Sequence, residues 1–135
     1  MRFLRSGSIT ALAVFVVLAL AGQAIASTWN FSWAGWRGGD RDSRTWSASR
    51  SGNHQWVKRT CRADADLSGG VFDVEIRKVR SLRPDLSLGV KRYRCDDGDE
   101  SKGFSSPGGG PRKFRFPFVS RGDVGISGSG HVSFP

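Results

Sequence analysis

All five tryptophans of this 135-residue sequence fall between positions 29 and 56, and basic residues are interleaved with them. Exposed indoles stack on sugar rings and nucleobases, and arginines bind carboxylate or phosphate groups. The pattern therefore predicts a ligand-binding face in this half of the chain. The candidate binding residues are Trp33, Trp36, Arg37, Arg44, Trp46, Arg50 and Trp56.

The same tryptophans have a second interpretation as core residues. A small domain needs large apolar side chains, and an indole buries a large area. For a single tryptophan this interpretation is favoured, whereas for the cluster both stay open. Phe114, Phe116 and Phe118 alternate strictly with other residues, which predicts that they are core.

The formal charge of the chain is +9. Coulomb attraction brings cationic exported proteins to cell-wall polymers, cell envelopes and other anionic surfaces. We therefore expect a non-catalytic binding protein whose partner is an anionic or carbohydrate surface, a class that includes antimicrobial proteins. Arginines opposite apolar strand faces also serve solubility, so the charge alone does not identify the partner. An extracellular location argues against nucleic acid as the partner, and we expect no cofactor.

The ending Gly130-His131, followed by Phe134, resembles that of the small secreted ribonucleases that contain one disulfide. That family uses a glutamate base, a histidine acid and arginines that hold the phosphate. The resemblance implies Glu75 and His131 as a catalytic pair, which makes a secreted hydrolase the alternative function. The resemblance covers few residues, and the family's helix before the sheet is not predicted here. The sequence contains no G-x-S-x-G motif, so it does not predict a serine hydrolase.

Two loops suggest other roles. The segment from Gly103 to Arg112 is rich in glycine and predicts a loop, which a protein inhibitor would present to its target. The acidic run from Asp96 to Glu100 offers carboxylates of the kind that calcium prefers. It lacks the spacing of a calcium-binding loop, so we expect a solvated turn and no metal site.

Arg121-Gly122-Asp123 is an integrin-type tripeptide, which we expect to be a chance match.

Residues 1–26 have the pattern of a cleavable secretory signal peptide. Arg2 and Arg5 precede an apolar run, and Ala24-Ile25-Ala26 provides small residues for cleavage before Ser27. A membrane anchor is the alternative, but the run is shorter than the about 20 residues that span a bilayer. We expect residues 27–135 to form one secreted domain, without stable membrane insertion. Loss of the two arginines lowers its formal charge from +9 to +7.

Cys61 and Cys95 are the two cysteines of the chain. An even number of cysteines in a small exported protein predicts a disulfide. A zinc site would need further ligands, and a C-x-x-C redox pair would need closer spacing. We therefore predict a Cys61–Cys95 disulfide.

Alternation with a period of two dominates residues 27–135, and no helical stripe appears. Strands are predicted around Trp29–Trp33, Val57–Leu67, Phe72–Ile76, Leu86–Val90, Phe114–Phe118 and Val124–Ile126. This pattern predicts an all-β fold, a small antiparallel β-sandwich or barrel-like domain preceded by a signal-peptide helix.

Two details of the strand pattern need a structural answer. Pro117 lies within a strand and cannot donate a ladder hydrogen bond, which predicts an edge strand. Cys95 has the opposite parity to Leu86, Leu88 and Val90, so either a bulge intervenes or the disulfide lies on the other face. The sequence makes no prediction about the oligomeric state.

Overall fold

The computed structural model describes residues 26–39, 41–64, 69–120 and 123–135. Apart from Ala26, the predicted signal-peptide helix lies outside these residues. The end of the strand predicted to reach Leu67 and the pair Arg121-Gly122 also lie outside them. Within the described ranges, no helix is long and apolar enough to cross a membrane.

Eight strands form the fold, and a 3₁₀ turn at Cys95–Asp97 follows the fifth of them. The strands are β1 (Ser27–Trp36), β2 (Trp46–Ala48), β3 (Gly52–Ala63), β4 (Val71–Lys78), β5 (Leu86–Arg94), β6 (Glu100–Ser106), β7 (Gly110–Val119) and β8 (Ile126–Phe134).

The strands form two four-stranded antiparallel sheets. The strand order is β1-β8-β3-β6 in the first sheet and β2-β7-β4-β5 in the second. Aromatic side chains from both sheets meet between them, for example Trp56 of β3 and Phe114 of β7, whose ring centroids are 5.3 Å apart. The predicted all-β sandwich is therefore confirmed.

The disulfide between Cys61 and Cys95 is present, and it joins β3 of the first sheet to the end of β5 in the second. A bulge in β5 explains the parity of Cys95. Glu75 pairs with Val90 and Arg77 pairs with Ser87, so β5 contains one extra residue between these pairs. After the bulge, Tyr93 is fully buried in the core.

Two predictions about β7 are wrong, namely that it is an edge strand and that Phe118 belongs to the core. β7 lies between β2 and β4, so it is not an edge strand. Its register against β4 shifts between Asp73 and Glu75, in the region of Pro117, and β2 pairs only with the opposite end of β7. The proline therefore interrupts no regular ladder. The same shift leaves Phe118 exposed, unlike the core residues Phe114 and Phe116.

Candidate binding cleft

A cleft of about 460 Å³ lies at the edge of the sandwich where β1 faces the short strand β2. β1 has ten residues and β2 has three. The remainder of this edge is formed by irregular chain between β1 and β2. The residues around the cleft, which we call the aromatic cleft, are Trp29, Asn30, Phe31, Ser32, Trp36, Asp42, Ser43, Arg44 and Phe114.

A bulge at the end of β1 brings Trp36 into the cleft. The pairing of β1 with β8 shifts register between Trp33 and Trp36. Gly35 lies within this shift at a φ of 61°, a conformation that glycine adopts without the steric cost of a Cβ atom. Its N–H donates to the Ser127 hydroxyl over 3.0 Å, which fixes the bulge to β8.

The floor of the aromatic cleft is continuous with the hydrophobic core. The Phe31 and Phe114 ring centroids are 4.7 Å apart, and those of Trp36 and Phe114 are 5.8 Å apart. Trp29 stacks on buried Trp46 at 5.3 Å. Trp29, Phe31 and Trp36 are only half-buried. Each ring therefore has one side fixed by packing and part of its surface available in the cleft.

The rim opposite β1 is fastened to β7 by Ser43. The Ser43 N–H donates to the Phe114 carbonyl over 2.8 Å, and the Phe114 N–H donates to the Ser43 hydroxyl over 2.9 Å. The Ser43 hydroxyl donates in turn to the Arg44 carbonyl over 2.7 Å. These bonds hold the backbone of Arg44 beside the aromatic floor.

The charges around the cleft leave Arg44 as an available cation. The Asp42 carboxylate lies 2.6 Å from the Lys113 ammonium, which is also 2.8 Å from Asp85. Hydrogen bonding to Asp42 and Asp85 raises the pKa of Lys113, so this ammonium stays charged and is shared between the two carboxylates. Arg44 is exposed and forms no ion pair within the part of the chain that the structure describes.

The burial of three tryptophans corrects their prediction as ligand-binding residues. Trp33, Trp46 and Trp56 are at most 6% exposed and lie in the core. Their parity on the strands turns them toward the opposite sheet, and their large area makes burial there favourable. The core interpretation applies to these three, while Trp36 remains accessible.

The predicted arginines do not form one group. Arg44 lies at the aromatic cleft with Trp36. Arg37 is exposed just after β1 and does not line the cleft. Arg50 borders a separate groove together with Gly52 and Phe134. Only Trp36 and Arg44 of the seven candidates therefore share the cleft.

The structure does not bring Glu75 and His131 together. Glu75 is on the outward face of β4, and His131 is on the outward face of β8 in the other sheet, with the core between them. Glu75 accepts hydrogen bonds from Arg115 at 2.6 Å and Ser87 at 2.9 Å, which gives its carboxylate a structural role. This placement removes the basis for a ribonuclease that uses this pair.

The segment 103–112 is corrected from a protruding loop to parts of two strands with a short turn. β6 ends at Ser106 and β7 begins at Gly110. The guanidinium of Arg112 is fully buried and donates to the Ser106 hydroxyl at 2.9 Å and the Gly108 carbonyl at 2.6 Å. A turn held from inside by a buried cation lacks the exposed segment that the inhibitor hypothesis requires.

The acidic run after Cys95 is partly structural. Asp96 and Asp97 belong to the 3₁₀ turn, and Glu100 pairs with buried Lys58 at 2.9 Å. Among the described residues, no group of three or more histidines, cysteines or acids is arranged to hold a metal ion.

Sequence reasoning missed Trp29, Phe31 and Phe114 as cleft residues. Their alternation indicated strands and, for Phe114, the core. The length of the facing strand decides whether such residues remain accessible, and the sequence contains no direct signal for β2 or for its three-residue length.

A comparison of the chain with family models, curated proteins and solved structures finds no match.

Proposed function

We propose that this protein is exported and binds an anionic glycan in the aromatic cleft without catalysing a reaction. The observation that carries this proposal is that the partly buried rings of Trp29 and Trp36 share one concave site with exposed Arg44. Aromatic faces pack on the apolar side of a sugar ring, and a guanidinium binds a carboxylate or phosphate bidentately. The pairing of Asp42 with Lys113 weakens the repulsion that this carboxylate exerts on an anion in the cleft.

Export is supported by the signal-peptide pattern of residues 1–26 and by the position of the first strand. β1 begins at Ser27, the residue that the predicted cleavage would leave at the N-terminus. N-terminal sequencing of the exported protein should therefore begin at Ser27. A protein that retains residues 1–26 after export would contradict cleavage.

Isothermal titration with a uronic-acid oligosaccharide and a neutral oligosaccharide of equal length tests the binding proposal. We expect Arg44→Gln to weaken binding of the acidic ligand about tenfold, because a charged hydrogen bond contributes about 1.5 kcal/mol or more. Trp36→Leu should have an effect of similar size, since it retains apolar packing but removes the flat indole face. Added salt should weaken binding of the acidic ligand.

Arg50→Gln is the matched control, because Arg50 is also exposed but borders a different groove. It should leave the affinity within about twofold of wild type, the range of a distant surface charge that salt screens. Equal losses in Arg44→Gln and Arg50→Gln would indicate diffuse attraction by net charge and would contradict a specific site.

A further inference from the structure

Leu82 occupies an unfavourable backbone conformation in the turn between β4 and β5. Its φ is 57°, and it is the one non-glycine residue with positive φ in the described ranges. The Cβ atom makes this left-handed region costly, so turns usually place glycine or asparagine there. Leucine therefore makes this backbone conformation less favourable than glycine or asparagine would.

The side chain of Leu82 does not pack in the core. It is fully exposed, more so than the other exposed large apolar residues Leu86, Val90 and Phe118. The fold thus carries a strained backbone and an unburied isobutyl group at the same residue. Strained conformations that contribute nothing to packing occur at binding sites, which makes Leu82 a candidate contact residue.

The turn that carries Leu82 is fastened at its base. The Arg80 guanidinium donates to the Pro84 carbonyl through Nε at 2.9 Å and through Nη2 at 2.8 Å. The Val79 N–H donates to the Pro111 carbonyl over 3.0 Å, which joins the turn to β7. Leu82 is therefore presented at the tip of an ordered turn.

The surroundings of Leu82 are positively charged. Lys78, Arg80 and Arg83 lie within four residues of it and form no ion pair with any described residue. Asp85 is the one acid between Lys78 and β5, and hydrogen bonding to Lys113 at 2.8 Å lowers its pKa. Lys78, Arg80 and Arg83 outnumber this single acid, so the tip has an excess of cations.

We propose that the 79–85 turn docks on an anionic lipid surface, with Leu82 entering the edge of the hydrocarbon and the basic residues binding headgroup phosphates. An anionic polymer would satisfy the cations but would offer no hydrocarbon for Leu82. A lipid surface provides both chemistries at adjacent depths. One leucine and a few cations give a reversible peripheral contact, and this contact uses a different site from the aromatic cleft.

Co-sedimentation of the protein with vesicles tests this proposal. Vesicles of phosphatidylglycerol mixed with phosphatidylcholine should bind it, and vesicles of phosphatidylcholine alone should bind it much less. Leu82→Asn should weaken binding about fivefold or more, because it removes the apolar group. Asparagine suits the left-handed conformation, so this variant should be at least as stable as wild type in thermal unfolding.

Val90→Asn and Arg83→Gln complete the test. Val90 is another exposed apolar residue, on β5 rather than in the turn, and its variant should bind vesicles as wild type does. Arg83→Gln should weaken binding about fivefold, the contribution of one basic residue near an anionic membrane. All three variants should keep the affinity for the uronic-acid oligosaccharide, so failure here is distinguishable from failure of the glycan proposal.

Two results would overturn the lipid proposal. The first is no binding of the wild-type protein to the anionic vesicles, which would leave a protein pocket as the remaining type of partner for Leu82. The second is equal binding of wild type and Leu82→Asn, because attraction would then be electrostatic only.

Discussion

The two long edges of the sandwich differ in how the sheets are joined. At one edge, β5 of one sheet lies against β6 of the other, and the Cys61–Cys95 disulfide crosses between the sheets nearby. At the opposite edge, ten-residue β1 faces three-residue β2, and the aromatic cleft opens between β1 and the irregular segment that precedes β2. We call these the closed edge and the open edge.

Polar groups reinforce the closed edge. The buried Lys58 ammonium pairs with Glu100 at 2.9 Å and donates to the Arg94 carbonyl, so it connects β3, β5 and β6. The Tyr93 hydroxyl donates to the Trp56 carbonyl, and burial raises the Tyr93 pKa, which keeps this donor protonated. Among the described residues, no ion pair joins the two sheets at the open edge, and its aromatic rings stay partly exposed. Polar groups thus link the two sheets at one edge, while the aromatic rings at the other edge remain partly accessible.

Removal of the disulfide should give the largest effect and should act on stability alone. Cys61→Ser with Cys95→Ser opens a loop of 34 residues, which should lower the free energy of unfolding by about 4 kcal/mol. Denaturant unfolding measures this loss. Wherever the variant remains folded, its affinity for the uronic-acid oligosaccharide should be unchanged. A large loss of affinity in the folded variant would show that the two edges are not independent.

The second-largest effect should be a loss of stability at low pH, which we attribute to His54. Its ring is fully buried and stacks on Phe134, and burial, followed by the charge of Arg112, lowers its pKa from 6.5 to about 4. The unfolded chain therefore takes up a proton between pH 6.5 and 4 that the folded protein does not. Stability should be complete above pH 6.5 and should fall by about 3 kcal/mol as the pH is lowered to 4.

Unfolding experiments at several pH values check the role of His54. His54→Phe retains an aromatic ring in the core and should flatten the dependence between pH 6.5 and 4. His131→Asn is the control, since His131 is on the outward face of β8 and should leave the dependence unchanged. The same acid sensitivity in His54→Phe and wild type would assign it to other groups.

The strand pattern predicted the architecture more accurately than the binding residues. Alternation in Phe72, Val74 and Ile76 identifies a core face because the period of a strand is a property of the backbone. Trp33 and Trp36 are the same residue type three positions apart, yet one is core and the other lies at the cleft. A regular strand would point them to opposite faces, and the bulge at Gly35 instead turns Trp36 toward the cleft, an effect that depends on the pairing of β1 with β8.

Removal of the Asp42 carboxylate, which pairs with Lys113, should give the smallest effect, and this effect should be confined to the open edge. Asp42→Asn should cost less than about 1 kcal/mol of stability, because this carboxylate is partly exposed. It should raise the affinity for the uronic-acid oligosaccharide about twofold to threefold, since a negative charge leaves the cleft. Asp85→Asn removes the other partner of Lys113 outside the cleft and should change the affinity less. Equal gains in both variants would contradict a local effect.

The five indole N–H signals in a proton–nitrogen NMR titration test the anionic-glycan cleft most directly. Addition of the uronic-acid oligosaccharide should shift the signals of Trp29 and Trp36, which lie at the aromatic cleft. The signals of the buried residues Trp33, Trp46 and Trp56 should move much less. Saturable shifts confined to Trp29 and Trp36 are the predicted result. Binding that leaves both signals unchanged would contradict the account.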